Sequence, residues 1–319
     1  SVYSLNLSRG QATLGSVSRL SKLIQKISPD ILQGWMYHGN LAASLGAVLG
    51  KWGCPVVWNI RQTLYGLDHE KRLTRAVIQM SALTSRHPRK IIYNSSLSAQ
   101  QHERIGFPSS KTVLIPNGFE TDKFSPVAVD EASSFPRSDS AFVIGLAARF
   151  HPMKDHATFI RAAQIVLKNR KNVVIRFAGS GVDPDNQALV RLIREAGLSG
   201  AIDLLGEQRD MVRFYQGLDA LVLPSAWGEA FPNVLGEAMS CGVPCVATDI
   251  GDSAAIIGET GFIVPPGSPE KLAESLILLV DEADAARNFR RLGCREKVIK
   301  DYDLAMVARQ YAELYGSMS

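Results

Sequence analysis

The chain has 319 residues, which is long for a single hydrophobic core and predicts two domains. Its 46% hydrophobic and 21% charged residues are ordinary for a globular protein, and no apolar run approaches the ~20 residues that cross a bilayer. The sequence shows no signal-peptide pattern and no nucleic-acid-binding motif, so we expect a cytoplasmic location and no nucleic-acid partner.

The net charge of +4 is unevenly distributed along the chain. Residues 1–125 hold 15 Lys and Arg against 6 Asp and Glu, which gives +9, and the remainder holds 20 against 25, which gives −5. A basic half suits peripheral contact with the anionic inner face of a membrane, or with an anionic substrate, although solvated surface cations would give the same count.

Short apolar segments alternate with longer amphipathic ones in the first half of the chain. This alternation predicts βαβ units and a parallel sheet with helices on both faces. Strands are expected at residues 2–5, 31–35, 56–60, 90–94 and 112–116. Helices are expected near residues 13–27, 39–51, 69–86 and 96–105.

The alternation stops after Asn117-Gly118 and restarts at residue 141. The intervening Pro, Ser and Asp residues indicate an interdomain linker, placed at 125–140, between domains at 1–124 and 141–302. Strands are then expected at residues 141–148, 173–178, 201–205, 219–223, 244–248 and 261–264. Helices are expected near residues 155–169, 185–196, 209–216, 231–241 and 269–281, and through a tail at 284–316 whose end, 303–319, is expected to pack back on the first domain.

Two doubly wound domains in tandem bind ligands in the cleft between them, at the carboxyl ends of the strands. Such a domain normally opens with a strand and a glycine-rich turn, but here the early glycines, Gly10 and Gly15, stand in a Ser-rich stretch. We therefore expect the first domain to lack its opening strands.

The segment Glu229-Ala-Phe-Pro-Asn-Val-Leu-Gly-Glu237 follows a predicted strand and starts a predicted helix. Pro232 suits the first helical turn, and the amides from Asn233 to Leu235 have no partner inside the helix, so they can hold a phosphate. Ionised Glu229 and Glu237 accept hydrogen bonds only, which suits them to sugar hydroxyls. The same two glutamates would also fit the solvated face of a plain amphipathic helix.

The chain resembles the retaining glycosyltransferases of the GT-B fold, family 4, also called glycosyl transferases group 1. The resemblance extends over essentially the whole chain and is most specific between residues 141 and 267. It is carried by five segments, in this order: residues 145–155, Phe177-Ala-Gly-Ser-Gly181, Glu229 to Glu237, Gly242-Val-Pro, and Thr260 to Gly267.

The resemblance implies roles for residues of the second domain. Arg149 and Lys154 match the basic pair that neutralises the donor diphosphate, where two cations would stabilise the leaving group. Glu229 matches the glutamate near the donor sugar, and Glu237 matches the one that binds the nucleotide ribose. The remaining donor-binding candidates are Gly179, Gly181, Gly206, Glu207, Gln208, Met211, Phe231, Pro232, Asn233, Val234 and Leu235.

In the first domain, the segment from Trp35 to Asn40 resembles the family segment in which a histidine, here His38, lies near the transferred sugar. A lone histidine is as readily a structural residue. Family members often carry another histidine earlier in this strand, where this chain has Gln33 and Trp35. Asn117 and Gly118 resemble the family's turn at the hinge, which faces the cleft.

The expected reaction moves a sugar from a nucleoside-diphosphate sugar to a hydroxyl of a glycan or lipid-linked acceptor, with retention of anomeric configuration. No metal or other cofactor is expected. Asp183-Pro-Asp185 is interpreted as a turn before a helix, because Arg149 and Lys154 supply the positive charge that a metal would bring. The four cysteines are scattered, and buried reduced thiols explain them better than a metal or redox site.

Three alternatives remain open from the sequence. A truncated, non-catalytic nucleotide-sugar-binding protein would keep the second domain and lose activity. A GT-B-fold nucleotide-sugar epimerase would share the fold, although its acid and base groups are not evident. A glycosidase would use two carboxylates about 5 Å apart and would release sugar from a simple glycoside without a nucleotide.

Overall fold

The computed structural model describes residues 2–4, 14–50, 53–67, 71–126 and 141–318. The chain divides into two compact units, the first formed by Ser1–Pro116 with Ala308–Ser319 and the second by Asn117–Val307. Each unit contains a parallel sheet with flanking helices, and the predicted α/β fold class is confirmed.

The sheet of the first unit has the strand order β1-β2-β3-β4. Its strands are β1 (Leu32–Trp35), β2 (Val56–Ile60), β3 (Lys90–Tyr93) and β4 (Thr112–Leu114). The helices that alternate with them are α1 (Leu14–Ile27), α2 (Met36–Leu49), α3 (Arg72–Thr84) and α4 (Ser96–Arg104). Every residue of β2 is buried, as expected for a strand covered on both faces.

One local prediction in this unit was wrong, and one predicted helix begins earlier than expected. A strand was expected at 2–5, but residues 2–4 have no regular secondary structure, and Leu5 lies outside the described residues. The second helix was expected near residue 39 but starts at Met36, directly after β1. This junction depends on Gly34, because a Cβ there would lie 2.5 Å from the Asn40 Cα.

The sheet of the second unit has the order β10-β9-β8-β5-β6-β7. Its strands are β5 (Phe142–Ala147), β6 (Val173–Ala178), β7 (Ile202–Leu204), β8 (Ala220–Leu223), β9 (Cys245–Thr248) and β10 (Phe262–Val264). Its helices are α5 (His156–Asn169), α6 (Gln187–Glu195), α7 (Met211–Gln216), α8 (Asn233–Ser240), α9 (Ser253–Ile257), α10 (Pro269–Val280) and α11 (Asp284–Tyr302). Because the strand order reverses between β5 and β8, the switch point of this doubly wound sheet lies there.

Side chains of β5 alternate between two buried clusters. Ile144 and Leu146 pack in one cluster with residues of α5 and α10, while Val143 and Ala147 pack in the other with residues of α7, α8 and α11. Both faces of the sheet are therefore covered, which accounts for the nearly continuous apolar sequence of its strands.

The two ends of the second unit pair with each other. Phe119 forms an isolated parallel bridge with Asp303, and its N–H donates to the Tyr302 carbonyl (2.8 Å). Residues 117–126 thus belong to the second unit, whereas the sequence pattern predicts a first domain that extends to residue 124. Most of the predicted linker lies outside the described residues.

The predicted helical tail is interrupted at Asp303 and continues as α12 (Leu304–Gly316). The end of α12 belongs to the first unit, where the Tyr311 hydroxyl accepts hydrogen bonds from Asn59 (2.9 Å) and Arg61 (2.7 Å). Among the described residues, no helix combines the length and the apolar character needed to span a bilayer.

Candidate active site

Three loops meet at the carboxyl edge of the second sheet, next to its switch point. The loop after β5 bonds to the loop after β6 through the Phe150 N–H and the Ser180 carbonyl (2.8 Å). It also bonds to the loop after β8, through the Ala226 N–H and the Met153 carbonyl (2.9 Å). The residues that follow β5 and β8 are therefore held together by backbone contacts.

Lys154 lies on the β5 loop, at the end of a short 3-10 turn over Pro152–Lys154. The next residue, Asp155, has a positive φ of 42° and caps α5, with its carboxylate accepting from the Thr158 N–H (3.1 Å). This sharp reversal fixes the position of Lys154 between the end of the turn and the start of the helix.

The Lys154 ammonium donates to Oε1 of Glu229, on the β8 loop. The same oxygen accepts from the Ser225 hydroxyl (2.6 Å). The side chains of Lys154 and Glu229 are 16% and 9% exposed, so the pair is largely withdrawn from water. The structure thus brings two of the predicted catalytic residues into direct contact.

Arg149 follows β5 on the same loop and is exposed. Its guanidinium forms no ion pair with any residue that the structure describes. The motifs predict that Arg149 and Lys154 act as a matched pair of cations, but Glu229 already neutralises the charge of Lys154. Together these three side chains carry a net charge of +1.

Helix α8 begins at Asn233, with Pro232 as its N-cap and no side chain capping it. The Leu235 N–H donates to the Pro232 carbonyl (3.2 Å). This amide was expected to be available to a ligand, but it already has a partner inside the protein. The amides of Asn233 and Val234 remain at the positive end of the helix dipole, where an anion is stabilised.

Glu237 lies one turn further along α8 and accepts a hydrogen bond from the Tyr215 hydroxyl (2.8 Å). Burial raises the pKa of Glu237, while the Tyr215 hydrogen bond and the charge of Lys123 act in the opposite direction. Burial, followed by the charge of Glu237, likewise raises the pKa of Tyr215. Glu237 is therefore a partly desolvated acceptor held in one orientation.

An aromatic cluster supports the start of α8. Phe231 packs against Phe119 (ring centroids 6.2 Å apart) and Tyr302 (5.3 Å), so its side chain faces the protein interior. Gly236 makes room for this cluster, since a Cβ there would lie 2.1 Å from the Phe119 ring. The Asn117 amide donates to the Asn233 side chain (2.6 Å) and so reaches the helix start.

Gly118 and Gly179, both candidate residues of the site, are closely packed in the structure. A Cβ on Gly118 would lie 2.9 Å from the Leu304 Cα. Gly179 has φ +146°, and a Cβ on it would lie 2.1 Å from the Ala148 carbonyl oxygen. The backbone that approaches Gly179 belongs to the β5 loop, so this glycine joins two site loops.

The other candidates after β6 and β7 form a connected backbone segment. The Gly179 N–H donates to the Gly206 carbonyl (2.8 Å), and Gly181 and Gly206 both have positive φ. Glu207 is exposed, and the Gln208 amide donates to the Leu205 carbonyl (2.6 Å). The last of these candidates, Met211, is the first residue of α7 and is partly buried.

Sequence reasoning missed the residues that hold Glu229 in place. The Ser225 hydroxyl donates to the same Glu229 oxygen as Lys154 does. At Gly228 (φ +84°), a Cβ would lie 2.2 Å from the Met153 sulfur. Gly251 (φ +64°) would place a Cβ 2.6 Å from the Glu229 carbonyl oxygen. The sequence could have indicated a tight turn at Gly228, because this glycine directly precedes Glu229. The role of Gly251 could not be predicted, because it depends on the contact between two loops that are distant in the sequence.

In the first unit, His38 is an exposed residue in the first turn of α2, at the carboxyl end of β1. Met36, between the strand and His38, has φ +59°, an unusual conformation for a residue with a side chain. Nearby, the Arg61 guanidinium lies 4.8 Å from the ring centroid of Trp35.

Asp183 and Asp185 form the predicted turn: the Asp183 carboxylate accepts from the Asp185 N–H (3.1 Å). Within the described ranges, no group of three or more His, Cys, Asp or Glu residues could hold a metal ion. Three of the four free cysteines are buried, as expected, and burial raises the pKa of Cys241 to about 12. Cys54 is instead partly exposed.

Two parallel α/β units, the second of them doubly wound with charged loops at its switch point, fit the architecture of the GT-B glycosyltransferases. The structure of HepE from Anabaena in complex with UDP is similar, with a TM-score of 0.83 and 21% identity over 95% of this chain and 82% of that one. At this identity, the likeness establishes the fold.

The family described as Glycosyl transferases group 1 matches residues 141–282, and Glycosyltransferase Family 4 matches residues 1–123. The chain belongs to this group 1/family 4 type and is a glycosyltransferase. It is 25% identical to the Escherichia coli UDP-Gal:alpha-D-GlcNAc-diphosphoundecaprenol alpha-1,3-galactosyltransferase, over 95% of this chain and 79% of that protein. It is 27% identical to the Mycobacterium leprae phosphatidyl-myo-inositol mannosyltransferase, over 96% and 80%.

Proposed function

We propose that this protein transfers a sugar from a nucleoside-diphosphate sugar to a hydroxyl acceptor and retains the anomeric configuration. The observation that carries the proposal is the largely buried Lys154–Glu229 pair at the switch point of the second sheet, with the exposed Arg149 on the same loop as Lys154. A nucleotide-sugar donor is supported by the similar HepE structures, which hold UDP or UDP-glucose, and by the name of the E. coli relative.

Each group has a proposed task toward the donor. Arg149 and Lys154 hold the diphosphate, together with the amides of Asn233 and Val234. Glu229, anchored by Lys154 and Ser225, accepts from a hydroxyl of the donor sugar. Tyr215 orients Glu237 toward the ribose hydroxyls.

In the proposed step, the bond between the anomeric carbon and the diphosphate oxygen breaks, and the acceptor oxygen bonds to that carbon from the same face. The acceptor proton passes to an oxygen of the leaving diphosphate, so no covalent nucleophile is needed. The side-chain cations and helix amides stabilise the charge that develops on the leaving group, and we propose that the reaction needs no metal. His38 is proposed to lie near the transferred sugar.

The proposed acceptor is a hydroxyl of a glycan or a lipid-linked glycan. The two curated relatives described above are named for a diphosphoundecaprenol-linked and a phosphatidyl-inositol acceptor. The excess of positive charge in residues 1–125 would favour peripheral contact with an anionic membrane that carries such lipids. The cytoplasmic location stays a prediction.

The test is incubation with UDP-glucose or UDP-galactose and GlcNAc-diphosphoundecaprenol in detergent, with product configuration determined by NMR. Arg149→Gln should abolish transfer, whereas Lys168→Gln, an exposed cation at the end of α5, should not change it. UDP binding without transfer across a panel of donors and acceptors would favour the non-catalytic alternative. Donor isomerisation without an acceptor would favour an epimerase, and sugar release from a simple glycoside would favour a glycosidase.

A further inference from the structure

A cavity of about 320 Å³ opens at the amino edge of the first unit's sheet. Its lining includes Cys54, Arg89 and Lys111, which lie just before β2, β3 and β4, and also Val48 and His87. Parallel strands have both ends aligned, so this edge is opposite the carboxyl edge at which His38 follows β1. We call this feature the amino-edge cavity.

Cations crowd the amino-edge cavity. Burial lowers the pKa of Lys111, and the charges of Arg89 and Lys90 lower it further, which shows that like charges converge there. In the part of the chain that the structure describes, neither Arg89 nor Lys111 forms an ion pair with a carboxylate. Burial raises the pKa of Cys54 and the charge of Asp30 adds to this rise, but Asp30 does not pair with these cations.

The Lys111 ammonium is fixed in position by the turn that precedes β3. It donates to the carbonyls of Arg86 and Pro88 (2.5 Å to Pro88), and an ammonium has three protons, so one more hydrogen bond can go to a ligand. Arg89 and His87 are exposed beside it. A tetrahedral anion in the cavity would relieve the mutual repulsion and accept hydrogen bonds from several sides.

An apolar surface adjoins the amino-edge cavity. Leu45, Val48 and Leu49 recur at helical spacing along α2 and are 44%, 56% and 53% exposed, and Val48 itself lines the cavity. The Gln25 amide donates to the Gly50 carbonyl (3.2 Å), which brings the end of α1 to this place. There, Ile27 is also exposed and follows Lys26. Cations beside exposed aliphatic side chains match the phosphate and acyl regions of a bilayer interface.

We propose that the amino-edge cavity binds the phosphate of a membrane-lipid headgroup, with the exposed end of α2 entering the interfacial region beside it. The inference rests on the membrane contact proposed above and is independent of sugar transfer. It predicts recognition of the phosphate group itself, in addition to general attraction to negative charge.

The test measures partition of the whole protein onto two kinds of digalactosyldiacylglycerol vesicles, whose host lipid carries no phosphate, one with phosphatidic acid and one with cholesteryl hemisuccinate, at matched surface potential. Wild-type protein should prefer the phosphatidic acid vesicles about tenfold, since a hydrogen bond to a charged group typically adds that much. Arg89→Gln should remove this preference, while Arg104→Gln, an exposed cation of α4, should retain it. Val48→Ser should weaken binding to both vesicles more than Leu73→Ser does, because Leu73 is exposed on α3, outside the cavity lining.

Each other result overturns a defined part of the inference. Equal effects of the two arginine variants would show diffuse charge attraction and no phosphate site. Loss of the preference in inorganic phosphate, at the concentration of accessible lipid phosphate, would assign the cavity to a free anion. Absence of vesicle binding would reject the membrane contact as well, whereas transfer to an acceptor in detergent, measured separately, would be unaffected.

Discussion

The Lys154–Glu229 pair offers a direct test of how the candidate active site is built. Lys154→Met removes the cation and Glu229→Gln removes the negative charge, while each variant keeps a side chain of similar length. Because both side chains are largely buried, either single change leaves an uncompensated charge or an unpaired polar group away from water.

Breaking a buried ion pair from one side costs about 3–5 kcal/mol, whereas replacing both partners is close to neutral. Lys154 retains 16% exposure, so we expect the lower end, about 3 kcal/mol for each single variant. For a unit of the size of Asn117–Val307, this corresponds to a fall in melting temperature of roughly 6–12 °C. The double variant should recover at least about half of the loss.

The assay is urea and thermal unfolding of the wild type, the two single variants and the double variant, without ligand, alongside transfer activity. All three variants should lose transfer. Arg149→Gln is the matched control: it should also lose transfer but change stability by less than about 0.5 kcal/mol, because Arg149 is exposed and forms no ion pair within the described residues. Additive losses in the double variant would show that the two charges do not stabilise each other.

Three further changes test other parts of the second unit. Burial raises the pKa of Glu237 in the folded protein, so its ionisation lowers the free energy of unfolding once the pH exceeds the pKa of this glutamate in the unfolded chain. Glu237→Gln should therefore stabilise the ligand-free protein at about pH 7, as measured by urea unfolding. The same variant should weaken UDP binding by about 1–3 kcal/mol, as measured by calorimetry. Gly179→Ala should lower the free energy of unfolding by more than about 2 kcal/mol, because the added methyl would clash with the Ala148 carbonyl oxygen. Gly197→Ala, at φ +69° with open space around it, should lower it by only about 1 kcal/mol. Equal losses of stability in thermal unfolding would argue against the steric explanation. Burial lowers the pKa of His156 to about 4 in the folded protein. The stability gained from its neutral form is therefore complete above the unfolded-state pKa near 6.5 and is lost as the pH falls toward 4. His156→Leu should reduce the slope of the unfolding free energy against pH in this window by about 1.4 kcal/mol per pH unit.

The elements could be predicted from the sequence wherever burial alone decides the pattern. The run Val56–Ile60 is apolar enough to be buried on both faces, and it forms β2 as expected. The prediction of helices was incomplete where an element is very short or where a long-range contact determines its boundary. Helix α9, at Ser253–Ile257, has only five residues, too few for a recognisable helical period, and the start of α2 depends on the close approach of Gly34 to Asn40.

The candidate site also has parts that could be predicted from the sequence and parts that could not. Motif and spacing located Arg149, Lys154 and Glu229 on the correct loops, because strand ends are local features of the sequence. The bond between Lys154 and Glu229 joins residues 75 positions apart, and no local pattern encodes it. This bond changes the electrostatics expected from the motifs: Arg149, Lys154 and Glu229 together carry a net charge of +1, which is smaller than the negative charge of the diphosphate in the proposed donor. In the proposed complex, the amides at the uncapped start of α8 would therefore add stabilisation that Arg149 and Lys154 do not supply alone.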